Sequence, residues 1–231
     1  MRVPITIALL LFLLMIPGCP PREPEISAQP VPGPDRVMLP APETRGGMAL
    51  LDALAARGSV RVYRPGGLSL AQIGQLLWSA AGPADAVTGA TRHAPSAGAT
   101  HPLELYVVMG EGEIEPGVYR YHREDHALIR VRGGDVRAEV ARAALDQEWV
   151  RNAPATMVVT AVFARTTARY GERGVRYVYM EAGHLAQNLC LAAQTLGLGT
   201  VVVGAFHDRQ VAEVLGIGEE VLLLLPVGKV R

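Results

Sequence analysis

The segment Arg173–Phe206, RGVRYVYMEAGHLAQNLCLAAQTLGLGTVVVGAF, constrains this chain more than any other. Val178, Ala182, Leu185, Leu189, Ala192 and Leu196 recur at steps of three and four, which makes one continuous apolar stripe on a helix. Small residues (Ala182, Gly183, Ala186, Ala192, Ala193) are set among them, so another backbone can approach this helix closely. Gly197 and Gly199 end it, because glycine enters the left-handed cap conformation at little cost. The β-branched run Thr200 to Val203 then predicts a buried strand, closed by Gly204. A buried helix leading directly into a buried strand is the centre of a mixed α and β core. Nothing in it specifies chemistry.

The N-terminus is a targeting segment and stands apart from the fold. Arg2 supplies a minimal positive region, and Ile5 to Ile16 is apolar. That run is too short to span a bilayer comfortably, which takes ~20 apolar residues. Ile16-Pro17-Gly18-Cys19 resembles a bacterial lipobox, in which the cysteine becomes the lipid-modified first residue of the mature protein. An ordinary signal peptide, or an uncleaved anchor with a chance cysteine, is the plainer alternative. On the lipobox reading, 1–18 is a lipoprotein signal peptide and Cys19 the lipidation site. Residues 19–46, rich in proline, are then an extended tether, and 47–231 the folded domain. The expected location is the cell envelope, anchored to a membrane and facing away from the cytoplasm. Cys190, the other of two cysteines, then has no partner for an intramolecular disulfide. The 22 acidic residues balance 22 basic ones, which removes any electrostatic reason to expect nucleic acid.

Past the tether, Met48 to Ala56 and Leu70 to Ala81 read as helices, the second capped by Ser69 and stopped by Gly82-Pro83. Leu103 to Met109, Ala155 to Phe163 and Val221 to Val227 read as strands, and Gly117 to Tyr121 with Ala127 to Val131 as a hairpin. Val136 to Leu145 and Arg209 to Leu215 read as helices. The order lacks the regular alternation of a doubly wound sheet.

Several familiar sites are missing. Gly197-Leu198-Gly199 lacks the third glycine of a dinucleotide fingerprint and sits between a helix and a strand, the reverse of that motif. Ser96 is not in a nucleophile elbow, and no metal is expected, since the six histidines show no zinc spacing. Glu181 and His184 share a helix face, but a di-iron bundle needs a second such pair. What remains is basic and hydroxyl groups at element ends. Arg57, Ser59 and Arg61 alternate, so an extended backbone projects all three to one side. Two guanidiniums and a hydroxyl suit a phosphate, while solvated surface charge is the bland alternative. Lys229 and Arg231 repeat the spacing at the chain end.

Four ordered motifs carry a resemblance. Arg57-Gly58-Ser59-Val60-Arg61, with Gln75 to Gly82, looks like the opening of the flavin-dependent nitroreductases. Arg92 to Gly98 with Thr100 to Tyr106 is similar to their PSAG-x-x-PLELY segment. Glu181 to Leu189 with Gly197-Leu198-Gly199, and finally Leu225-Pro226-Val227-Gly228, complete the match, which is closest to the SagB/ThcOx-type dehydrogenases. The resemblance implies an α+β fold, a central mixed sheet flanked by helices. It implies a homodimer with the long helix at its interface and FMN between the subunits. By the same resemblance Arg57, Ser59 and Arg61 hold the FMN phosphate and ribityl chain, helped by Lys229 or Arg231. Pro95, Ser96 and Gly98 line the isoalloxazine, and the Val203–Gly204 backbone approaches its N5 edge.

The implied activity is hydride transfer through flavin N5 to or from a small nitro, unsaturated or azoline-like substrate, with NAD(P)H as a candidate electron donor. Azoline-oxidising relatives carry a Lys-Tyr pair before the long helix, where this chain has Arg169-Tyr170. Arginine stays protonated at neutral pH, so Tyr170 is left as candidate proton donor or substrate contact. The alternative is a flavin-free binding or scaffold lipoprotein that reuses the fold.

Overall fold

The computed structural model describes residues 35–83, 92–110 and 112–230. The expected signal peptide, Cys19 and Arg231 lie outside the described residues. Seven strands form one sheet: β1 (Arg36–Met38), β2 (Leu103–Met109), β3 (Gly117–His122), β4 (Ala127–Gly133), β5 (Ala155–Ala161), β6 (Leu198–Thr200) and β7 (Glu220–Lys229). Their order is β1-β4-β3-β2-β5-β7-β6. Every ladder between described strands runs antiparallel, and parallel pairing is confined to one bridge, Ser59 with Thr200.

Strands β2 and β5 are buried along their whole length, because helices cover both faces of the sheet. Alternation sorts their side chains. Leu103, Leu105, Val107 and Met109, with Met157 and Val159, face α2 (Leu70–Ala81) and α6 (Arg173–Thr195). Tyr106, Val108 and Val158 face the opposite layer, built from α3 (Arg137–Ala143), α4 (Glu148–Asn152) and α7 (Asp208–Leu215). The apolar stripe of α6 is buried as its period predicts. Helix α2 begins with a reciprocal capping box: Ser69 Oγ accepts from Gln72 N at 3.2 Å, and Gln72 Oε1 accepts from Ser69 N at 3.0 Å. Two helices complete the set, α1 (Leu50–Ala56) and α5 (Ala164–Tyr170).

Two differences from the sequence reading have physical causes. The last part of the expected tether is docked on the domain. Arg36–Met38 adds a strand to the free edge of β4, and Arg36 is ion-paired with Asp125. Leu39 N donates to His126 O, and His126 Nε2 lies 3.0 Å from Pro40 O. Glu43 N and Glu43 O are both engaged by the Gln75 amide. The expected strand Thr200–Val203 also stops at Thr200. Val203 rejoins at a bridge to Leu224, in the register that the Thr200–Val227 pair predicts. Between them Val201 faces Pro226, which has no N–H to give, so the ladder breaks there.

Candidate functional site

The segment after α1 crosses the end of the sheet. Val60 N donates to Thr200 O at 2.9 Å, and Arg64 N to Lys229 O at 2.8 Å. Gly199 and Gly228 let the chain lie this close, since a Cβ on them would fall 2.6 Å from Val60 and from the Tyr63 ring respectively. The Tyr63 hydroxyl lies 3.0 Å from Val60 O and 3.1 Å from Pro226 O, and burial raises its pKa. This pinning brings Arg57, Ser59 and Arg61 to the sheet end that carries Lys229. All four are exposed. None of the three cations has a carboxylate within 4.0 Å among the described residues. Arg61 instead lies over the Trp149 ring, 5.3 Å from its centroid, while the charge of Arg57 reaches Cys190, whose thiol burial pushes up.

Val203 and Gly204 follow β6, with Val203 bridged to Leu224 of β7. Val203 is buried and bonded both ways to Leu224, whereas the space where a Gly204 Cβ would stand is open. Gln147 Nε2, just before α4, donates to Ala205 O at 2.7 Å. Since Trp149 is on α4, that short helix holds both this loop and Arg61.

A second group forms around the loop from Arg92 to His101. Gly98, Ala99 and His101 all have positive φ (59°, 54° and 46°), which a non-glycine residue adopts only when its surroundings enforce it. The enforcement comes from α5, which lies along the loop. Arg165 Nη1 donates to His101 O at 3.1 Å, and the Thr100 and Thr166 hydroxyls are 2.8 Å apart. Arg169 Nη1 reaches Gly98 O at 3.4 Å. A Cβ on Gly98 would fall 2.5 Å from the Tyr170 hydroxyl, so Tyr170 stands directly over this glycine. Ser96 Oγ accepts from His101 N at 3.0 Å, and the Ser96 side chain is bonded to Glu181 of α6. Glu181 is 5% exposed; burial raises its pKa against the lowering effect of Ser96, Arg92, His184 and Arg123. Pro95 and Gly98 are exposed and Ser96 is half-buried.

Glu104 supports this loop from beneath. It is 4% exposed and accepts from Arg165 at 2.6 Å, with Arg120 at 3.2 Å and Arg123 at 4.0 Å. Burial alone would raise its carboxyl; the Arg165 hydrogen bond and the three guanidinium charges hold it below its ordinary value. One arginine, Arg165, thus ties the buried carboxylate to the strained loop.

The expected residues therefore fall into two groups. Arg57, Ser59, Arg61 and Lys229 lie where the segment after α1 crosses β6 and β7, while Val203 and Gly204 lie further along β7, opposite Leu224; Ser96, Gly98 and Tyr170 lie at the loop that α5 supports, with Pro95 beside Ser96. Glu181, beside Ser96, and Cys190, beside Arg57, lie roughly 13 Å apart along α6 at 1.5 Å per residue. Sequence reasoning quoted Glu104, Glu181 and Arg92 within motifs but gave them no part in the site, and it did not single out Trp149. The signal for Glu104 was a lone charge inside the apolar strand LELYVVM.

The fold is a three-layer α+β domain, and Arg57, Arg61 and Lys229 at one edge of its sheet have no carboxylate within 4.0 Å among the described residues. The family can be stated outright: residues 54–229 match the Nitroreductase family, and the chain belongs to it as a nitroreductase-type oxidoreductase. A nitroreductase-family protein of Methanocaldococcus jannaschii is 47% identical over 181 residues, 78% of this chain and 90% of the relative. The trifolitoxin-processing protein TfxB of Rhizobium leguminosarum is 35% identical over 158 residues, 63% of this chain and 42% of that protein, and supports the SagB-type branch. A nitroreductase-family crystal structure from Ralstonia eutropha superposes with a TM-score of 0.74 at 30% identity, covering 85% of this chain and 90% of that one.

Proposed function

We propose that this chain is an FMN-dependent oxidoreductase that works as a homodimer on a small nitro, unsaturated or azoline-like substrate. The observation that carries the reading is the rim of Arg57, Arg61 and Lys229, three exposed cations with no carboxylate within 4.0 Å among the described residues, together with the Ser59 hydroxyl and the open space at Gly204. The donor set fits the cofactor: guanidinium forks match phosphate oxygens, and the backbone at Gly204 leaves room for a flat ring. When bound, FMN supplies hydride transfer through N5.

The chain's own residues do the rest. Arg57, Ser59, Arg61 and Lys229, joined by Arg231, would hold the phosphate and ribityl chain, with Arg61 standing over the Trp149 ring. Pro95, Ser96 and Gly98 line the ring, and the Val203–Gly204 backbone borders its reacting edge. The Tyr170 hydroxyl, fixed above Gly98, gives a proton to the reduced substrate or positions it. NAD(P)H is the proposed electron donor.

Exposed apolar side chains support the dimer. Val175, Tyr179 and Met180 on α6, and Leu50, Leu51 and Leu54 on α1, are 38–77% exposed. A second copy across α6 covers them and puts FMN between the subunits. The lipid anchor at Cys19, with an envelope location, completes the proposal.

The test is anaerobic mixing of the FMN-loaded protein with NADH or NADPH. Bleaching of the flavin band, reversed by a nitroaromatic or azoline, supports the reading. A band that neither nucleotide bleaches contradicts NAD(P)H as donor, and one that dithionite bleaches but no substrate restores contradicts the substrate class.

A further inference from the structure

The turn between α3 and α4 is strained. Leu145 and Asp146 are consecutive non-glycine residues with φ of 59° and 54°, in the left-handed region that such side chains rarely enter. A pair like this persists only where its surroundings enforce it, and such positions cluster at sites with a task. Three hydrogen bonds enforce it here. Asp146 N donates to Ala141 O at 2.8 Å, Arg151 Nη2 to Asp146 Oδ1 at 2.9 Å, and Gln147 Nε2 to Ala144 O at 2.8 Å.

The side chain this turn delivers is Gln147, whose Nε2 also donates to Ala205 O at 2.7 Å. Both partners are carbonyl oxygens, so the amide nitrogen gives one N–H to each, which neither a carboxylate nor a thioether of similar length can do. Two residues further on, His207 N donates to Ala143 O at 2.9 Å. On the other flank Val203 is bonded both ways to Leu224, at 2.8 and 3.0 Å. Gly204 is thus one exposed residue between two fixed neighbours, with open space where a Cβ would stand. Glycine has the widest backbone freedom of any residue, so here its place is set by the anchors on either side.

We infer that Gln147 is a positioning residue: through Ala205 it fixes the Gly204 backbone against which a ligand lies. It acts through the main chain and needs no contact with that ligand. That the ligand is the flavin ring rests on the function proposed above; the clamp itself does not.

Amide hydrogen exchange of the flavin-free protein, read by NMR, tests the clamp. Gln147→Met removes both donors at similar length. Exchange at His207 then speeds up about two- to tenfold, the worth of one net hydrogen bond, while exchange at Val203 is unchanged. Gln147→Glu, nearly the same shape but without an N–H when ionised, has at least as large an effect. Gln147→Lys, whose ammonium carries three donors, restores part of the protection. In the FMN-loaded protein, Gln147→Met slows flavin reduction at saturating NADH or NADPH by about the same factor, with FMN affinity kept within about twofold. Should neither nucleotide serve, reoxidation of the dithionite-reduced protein by a nitroaromatic gives the same comparison. Unchanged exchange at His207 in the Met and Glu variants overturns the inference, and so does faster exchange with unchanged flavin kinetics. Protein that takes up no FMN but loses protection at His207 upholds the clamp and removes the flavin reading. Yellow protein with unchanged exchange does the reverse.

Discussion

The two ends of the candidate site handle charge in opposite ways. At the sheet end, Arg57, Arg61 and Lys229 stand exposed, with no carboxylate within 4.0 Å among the described residues. At the α5 end, Glu104 is buried among Arg165, Arg120 and Arg123. Exposed unpaired cations cost the fold little and remain available to a ligand. A buried carboxylate is tolerable only because its partners surround it, so it fixes geometry rather than binding anything. The first region is therefore expected to govern cofactor affinity, and the second to govern stability and the placement of Tyr170.

Substitutions can break or sharpen that contrast. Tyr170→Phe keeps the ring and its edge-on contact with Tyr177, 5.2 Å between centroids, and removes only the hydroxyl. Turnover at saturating flavin falls about 100-fold if this group gives a proton, with FMN affinity unchanged. Steady-state assays alongside FMN titration check both halves, and undiminished turnover would reduce Tyr170 to packing. Arg57→Met lowers FMN affinity roughly 10- to 100-fold, the worth of a charge-assisted hydrogen bond, with no change in the melting temperature of the flavin-free protein. Fluorescence quenching of FMN measures it.

Glu104→Gln shows the reverse pattern, a loss of roughly 2 kcal/mol in stability with flavin affinity kept, discounted from a fully buried pair because two of its arginines are part-exposed. The pH dependence follows from its lowered pKa. Its contribution is complete above the ordinary carboxylate range and is lost as pH falls through the lowered folded value. Denaturant midpoints of wild type and variant therefore converge in acid; curves that stay parallel would mean the charge of Glu104 is not what stabilises. Ser69→Ala, outside both groups of residues, removes one side of the α2 capping box and costs about 1 kcal/mol, with no change in flavin or substrate constants.

Much of the fold was legible because it is written in local periods. The stripe of α6 and the apolar runs of β2, β5 and β7 each bury what their spacing requires. The elements that escaped are those whose reason lies elsewhere in the chain. Strand β1 has three residues in a proline-rich stretch and exists because β4 offers an edge. Helix α5, Ala-Arg-Thr-Thr-Ala-Arg-Tyr, has no apolar stripe, since it is held by polar bonds to the loop at Gly98–His101. Strand β6 is cut short by a proline on its neighbour. The site divides similarly. The alternating Arg57, Ser59 and Arg61 could be read directly, whereas the part played by Glu104 depends on arginines from β3 and α5.

The most direct measurement is the visible absorbance spectrum of the purified full chain, with bound FMN quantified against protein. Flavin bands at close to one FMN per chain, retained through gel filtration as a dimer and lost in Arg57→Met, are the predicted result. A colourless protein that also fails to take up added FMN would contradict the account.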